Sequence, residues 1–174
     1  EDNWWGPAGQ TGPCGPDTEM FYWTDDGSAP SVFDPKDKHW VEIWNDVFMA
    51  YNKDTDGLLK PLAAPNVDTG MGLERTVAVL NGFRNIFEIE SFQKIFRAIE
   101  SETMVRYGES DVVTRAMRII ADHGRTAVMM IADGVLPSNK DRGYILRRLI
   151  RRAVRFGRSI SVKGSVLDPV ARAV

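Results

Sequence analysis

The stretch Asn66-Val67-Asp68-Thr69-Gly70-Met71-Gly72-Leu73-Glu74-Arg75 joins a carboxylate, two glycines and a fixed cation at the start of an expected helix. Glycines let a ligand come close to the backbone, a helix N-terminus offers unpaired N–H donors, and an arginine holds phosphate or stacks on an aromatic base. Thr69 reads as the helix N-cap, Leu73, Val77 and Leu80 recur at helical spacing, and Gly82 suits a left-handed C-terminal residue. Upstream, period-two alternation over 40–51 sets Val41, Ile43, Asn45, Val47, Met49 and Tyr51 on one face of a long strand. Trp40, Glu42, Trp44, Asp46 and Phe48 fall on the other face. Asn52 to Gly57 is rich in turn residues and leads to a short strand near 58–62, which predicts an antiparallel hairpin.

Further out, the Gly- and Pro-dense segment before Thr18 reads as a structured loop entering a strand over 18–23, and Asp25-Asp26-Gly27-Ser28 turns the chain. Beyond the central stretch the pattern is helical. Amphipathic stripes run over about 90–107 (Phe92, Ile95, Phe96, Ile99) and 111–133 (Val112, Met117, Ile120, Val128, Ile131). A last helix is expected from a capping box at Ser138–Asp141 to Gly157. The expected fold is α+β: an antiparallel sheet with helices over 1–90, followed by an all-α domain over 91–174.

A chain of 174 residues with 43% hydrophobic and 10% aromatic content has the material for a real core. It has no apolar run of the ~20 residues that span a bilayer, and Glu1-Asp2-Asn3 does not open a secretory signal, so a cytoplasmic protein without membrane contact is expected. Cys14 is the single cysteine and lies far from His39 and His123, so neither a disulfide nor a zinc site is expected. The net charge of −2 hides a polarity: residues 1–133 carry 12 Lys+Arg against 22 Asp+Glu, whereas 134–174 carry 10 against 2. That asymmetry fits either a polyanion at one end or a basic helix packed on an acidic neighbour.

Read residue by residue, Asp68 suits an ammonium group but also a helix cap. Asn45 and Val47 share a strand face and offer a polar hand and an apolar wall, although Val47 also suits plain core. Trp5 can lid a small side chain, or with Trp4 anchor a loop. Arg75 can hold a nucleotide, or pair with Glu74 or another carboxylate. A buried amide such as Asn45 needs partners, which favours a functional use. Arg142, Arg147, Arg148, Arg151, Arg152, Arg155 and Arg158 lie on or beside the last helix. At ~100° per residue Arg148, Arg151, Arg152 and Arg155 form one broad face that can track phosphates, or pair with carboxylates inside the protein.

Four segments together carry a resemblance: Thr11-Gly12-Pro13-Cys14-Gly15-Pro16, Val41 to Met49, the central stretch, and Ala132 to Asn139 leading to Arg142-Gly143-Tyr144. In order and spacing they resemble the class II aminoacyl-tRNA synthetases, and among these the alanyl-tRNA synthetases, over nearly the whole chain. The resemblance implies ATP-dependent activation of alanine, with Mg²⁺ accompanying ATP, and transfer to tRNA(Ala). Gly70-Met71-Gly72-Leu73-Glu74-Arg75 looks like motif 3 of that class, with Gly72 beside ATP and Arg75 packing on its adenine. Asp68 matches the residue that binds the alanine ammonium group, and Trp5, Asn45, Val47 and Gly70 match the alanine pocket. The helical part would dock on the acceptor stem, Arg147, Arg148, Arg151 and Arg152 on its phosphates and Asn139 at a G·U pair in the minor groove.

Two departures stand out. Asp17 replaces a cysteine common in relatives, and Trp5-Gly6-Pro7-Ala8-Gly9-Gln10 is a variant approach to that loop; neither falls on the matched pocket residues. Motifs 1 and 2 have no counterpart here and are expected before residue 1, so the chain reads as a piece of a longer enzyme, inactive without the missing half of the catalytic domain. The competing reading is a non-catalytic RNA-binding protein that retains the scaffold.

Overall fold

The computed structural model describes residues 3–174, which divide between Ile86 and Phe87 into two compact units. The first is a four-stranded antiparallel sheet in the order β1 (Trp4–Trp5), β2 (Gly12–Trp23), β3 (Trp40–Lys53), β4 (Leu59–Met71), followed by helix α1 (Leu73–Leu80). Its strands run farther than sequence patterning indicated. The Gly- and Pro-rich segment expected to be a loop is the first half of β2, paired through Gly12↔Lys53, Pro13↔Asn52 and Cys14↔Tyr51. Gly15 makes this possible, because a Cβ there would lie 1.9 Å from the Phe48 carbonyl oxygen. The absent side chain lets two backbones close up, and neighbouring Cys14 is fully buried.

Likewise the second strand does not stop near 62 but continues to Met71. Thr69 is therefore a strand residue and not a helix cap; its hydroxyl accepts the Trp44 indole N–H. The cap is Gly72, which has extended backbone and no side-chain bond. Its N–H donates to Ile43 O (3.0 Å) and its carbonyl accepts from Thr76 N (2.8 Å), so one residue ends the ladder and begins the helix. Gly82 adopts the expected left-handed conformation, with φ +70°.

The second unit contains α2 (Glu90–Glu100), α3 (Asp111–Ala132), α4 (Asp141–Ser159) and α5 (Leu167–Ala173). The stripe expected to continue to 107 leaves helix at Glu100, and Tyr107 returns to stack on Phe96 with ring centroids 4.0 Å apart. Phe92, Ile95, Phe96 and Ile99 of α2, Met117 and Ile120 of α3, Leu146 of α4 and Val170 of α5 form the dry core. Gly124 lets α5 approach, since a Cβ there would meet Val170 at 2.6 Å. The expected capping box at α4 does not form. Ser138 Oγ donates to Lys140 O and accepts from Lys140 N, closing the turn before the helix, and Lys140 is the cap without a side-chain bond.

Backbone clash sets a clear expectation: Gly15→Ala destabilises the sheet by on the order of 3 kcal/mol. Gly6→Ala, where a Cβ meets nothing within 4 Å, is near neutral. Urea unfolding of the two variants against the parent chain measures the difference; equal midpoints would show that β2 and β3 do not pack this closely.

Candidate functional site

The register of three strands assembles the first candidate site. Asn45 stands opposite Glu19 on β2 and Gly70 on β4, and Val47 stands opposite Asp17 and Asp68. Partners across a ladder share a face, so Asp17, Glu19, Asn45, Val47, Asp68 and Gly70 occupy one patch. Gly70 has a specific reason to be glycine: a Cβ would sit 2.7 Å from Asn45 Oδ1, so the Asn45 amide lies across the bare backbone of β4. Val47 is buried at 5% exposure beneath the patch, whereas Asp68 is exposed and has no hydrogen-bonding or ionic partner among the described residues.

Strict alternation assigns Glu42 to the face opposite Asn45, and here the structure corrects the sequence. The β2–β3 pairing shifts between Met20↔Trp44 and Phe21↔Glu42, so Ile43 is an extra residue on β3. A bulge of this kind re-aims the strand beyond it, which carries Glu42 to the face of Asn45 and Glu19. Glu42 then receives Arg75: Nη1 donates to the Glu42 carbonyl oxygen at 3.0 Å and to its Oε2 at 3.2 Å. Arg75 reaches it by folding over Gly72, where a Cβ would press on the arginine side chain at 3.1 to 3.4 Å. Both glycines of the motif therefore clear space for a neighbouring side chain, Asn45 and Arg75 respectively. Trp5 is less closely joined. It pairs with Gly15 on β1, with β2 between it and Asn45, while its neighbour Trp4 stacks on Tyr51 with centroids 5.9 Å apart.

The patch is acidic. Asp17 is 9% exposed, and its Oδ1 is buried without a partner among the described residues. Partial desolvation, then the Glu42 carboxylate, then that of Asp17, hold the Glu19 carboxyl above its ordinary range.

In the second unit α4 buries Gly143, Leu146, Ala153 and Gly157 and turns its arginines outward. Arg147, Arg148, Arg151, Arg152, Arg155 and Arg158 border an open hollow of about 980 Å³, together with Asn139 and His123. Arg147 donates to Asn139 Oδ1, which fixes the amide with its acceptor engaged and its NH₂ left to donate. Arg148 lies over the Tyr144 ring and Arg152 over that of Phe156. No arginine of this helix forms an ion pair among the described residues. Sequence reading gave His123 no role beyond discounting zinc. Its Nδ1 is 2.9 Å from Asp122 Oδ2, and its Nε2 is buried without a partner among the described residues, a position no sequence signal marks.

The Glu19 environment makes stability depend on pH. A carboxyl held above its unfolded value favours folding while protonated, and that contribution is lost as pH rises through the raised value. Glu19→Gln is therefore expected to stabilise the chain at neutral pH, with the gain fading on acidification through the carboxylate range. Urea midpoints of variant and parent as a function of pH would test this; a pH-independent gain would assign the effect to packing.

Residues 1–174 match the family described as tRNA synthetases class II (A). The chain is 50% identical over 178 residues to an alanine–tRNA ligase of Treponema denticola, an overlap that covers 100% of the chain and 30% of that protein. It is 48% identical over 179 residues to the alanine–tRNA ligase of Treponema pallidum, covering 99% of the chain and 29% of that protein. The chain thus spans about 30% of the length of the relatives it matches. With a motif of two glycines and an arginine set on an antiparallel sheet, and a family match along its whole length, this chain belongs to the class II (A) tRNA synthetases.

Proposed function

We propose that this chain is the part of an alanine–tRNA ligase that holds alanine against ATP and presents the acceptor stem of tRNA(Ala). The unit up to Ile86 is read as the motif 3 portion of the catalytic domain, and the unit from Phe87 as the tRNA-recognition domain. The observation that carries the first half is the register that sets unpaired Asp68 and the Asn45 amide side by side over Val47. Asp68 would take the ammonium group, Asn45 would orient the amino acid through its amide, and Val47 would bound the methyl group.

Activation joins an alanine carboxylate oxygen to the α-phosphorus of ATP as pyrophosphate leaves. Transfer then joins a hydroxyl of the terminal ribose to the alanyl carbonyl carbon as AMP leaves. These residues contribute positioning and charge, which is most of what such a reaction needs. Arg75, anchored at Glu42, would lay its planar guanidinium on the adenine and Gly72 would let ATP approach the backbone. Among the described residues no group of three His, Cys, Asp or Glu side chains converges to hold a metal ion. In this reading magnesium comes with the ATP phosphates, and no step is assigned to it. No described helix is long and apolar enough to cross a membrane, and a cytoplasmic setting goes with these substrates.

For the second half, the outward arginines of α4 would follow phosphates, and the Asn139 amide, held through Arg147, would donate to a base edge of the G·U pair.

In the longer enzyme, Asp68→Asn is expected to cost about 2–3 kcal/mol of alanine binding, roughly 30- to 150-fold in its KM, with the KM for ATP nearly unchanged. Pyrophosphate exchange at varied alanine and ATP reads this directly, and an unchanged alanine KM would remove Asp68 from the pocket. In the 174-residue chain, Asn139→Ala is expected to remove about 1–3 kcal/mol of preference for an acceptor-stem hairpin bearing G·U over one bearing G·C, while general RNA affinity stays near that of the parent. Equal loss on both hairpins would assign Asn139 to the fold instead.

A further inference from the structure

A second, smaller hollow of about 300 Å³ lies beside the first, lined by Asp111, Thr114, Arg115, Arg118 and Ile119 of α3 and by Arg152 of α4. Arg152 borders both hollows, so the basic surface does not stop at α4 but passes onto α3. Three guanidinium groups face one carboxylate here, and that carboxylate neutralises none of them. Asp111 and Arg115 stand at i and i+4, a spacing suited to pairing, yet no ion pair forms between them.

The three arginines are prepared to different degrees. Arg118 is half-buried, donates Nε–H to Tyr107 Oη at 2.8 Å, and lies over the Phe87 ring at 5.0 Å and the Tyr107 ring at 5.7 Å. Its head is thus fixed while its Nη donors keep no partner among the described residues, so little order remains to be imposed when a ligand binds. Arg115 is exposed, one turn earlier on the same side, with no partner among the described residues, and the Thr114 hydroxyl is likewise unengaged. Like charges gathered this closely repel one another, and an anion with several acceptor oxygens relieves that repulsion while engaging the rigid fork of each guanidinium.

We propose that this hollow binds a backbone phosphate of the same RNA that α4 follows, making α3 a second wall of the RNA interface. The proposal rests on the RNA-binding reading of α4 and adds Arg115, Arg118 and Thr114 to it. A polyanionic strand is favoured because Arg152 makes the two hollows one continuous basic surface.

The test is the salt dependence of acceptor-stem hairpin binding by the 174-residue chain and its variants. Arg115→Gln removes no contact within the protein and is expected to weaken binding several-fold, lowering the slope of log K against log salt by roughly one, the share of a single phosphate contact. Arg115→Lys keeps the charge and should retain most of the slope. Lys94→Gln, an equal charge change at an exposed position of α2, should leave the slope unaltered. If Arg148→Gln weakens binding while Arg115→Gln does not, the RNA reading of α4 stands and the α3 subsite is wrong. Equal losses in Arg115→Gln and Lys94→Gln would mean bulk charge alone and would also overturn it. A parent chain that binds no hairpin removes the RNA reading and this subsite together.

Discussion

The peptide units around Gly72 hold the first site together. Its N–H closes the last rung to Ile43 on β3 and its carbonyl accepts the first helical bond of α1, so the end of β4 and the start of α1 are set by the same residue. That junction closes the unbroken run of β3–β4 pairs from Met49↔Asn66 to Trp44↔Met71. Because side chains alternate with a period of two, a slip of one residue between β3 and β4 would place Asn45 and Asp68 on opposite faces of the sheet. The two glycines of the motif then act as absences of a defined size. Gly70 leaves room for the Asn45 amide and Gly72 leaves room for Arg75. A Cβ at either position would displace the Asn45 or Arg75 side chain without touching the ladder, so the motif reads more as a packing specification than as a hinge.

Charge on that face follows a related logic. Asp17, Glu19, Glu42 and Asp68 share it, and Arg75 answers only Glu42. Carboxylates held near one another destabilise the folded state unless a cation neutralises them, and at Glu19 this repulsion from Glu42 and Asp17 adds to the larger effect of desolvation in raising the carboxyl above its ordinary range. An ammonium-bearing substrate is the kind of cation that relieves it.

Much of this was legible in the chain, and the limits have physical causes. The α+β division, the antiparallel hairpin, the common face of Asn45 and Val47, and the arginine face of α4 all follow from periodicity, which depends only on side-chain spacing. Glu42 was misplaced because a bulge leaves no composition signal: one inserted residue at Ile43 reverses parity for everything before it. Thr69 looked like a cap because its chemistry fits one, but the Trp44 indole uses its hydroxyl instead. Gly12 to Pro16 looked like a loop because glycine and proline mark turns locally, whereas here the close approach to Phe48 demands glycine within a strand. Helix α5 is only seven residues long and starts without a side-chain cap, so its sequence carries little of its own signal.

On α4 the decisive fact is that no carboxylate among the described residues pairs with its arginines. The structure offers aromatic faces to Arg148 and Arg152 and an amide oxygen to Arg147, neutral partners that orient a guanidinium without discharging it. An arginine held by an ion pair must lose that pair before it meets a phosphate. One held by a ring or an amide keeps its full charge while part of its conformational freedom is already spent. Orientation without neutralisation is what a surface needs if it is to take a polyanion. It also explains why a helix so rich in arginine folds beside a buried stripe of glycine, alanine and leucine: the small residues let α4 pack closely on its neighbours, and the charges are left in water.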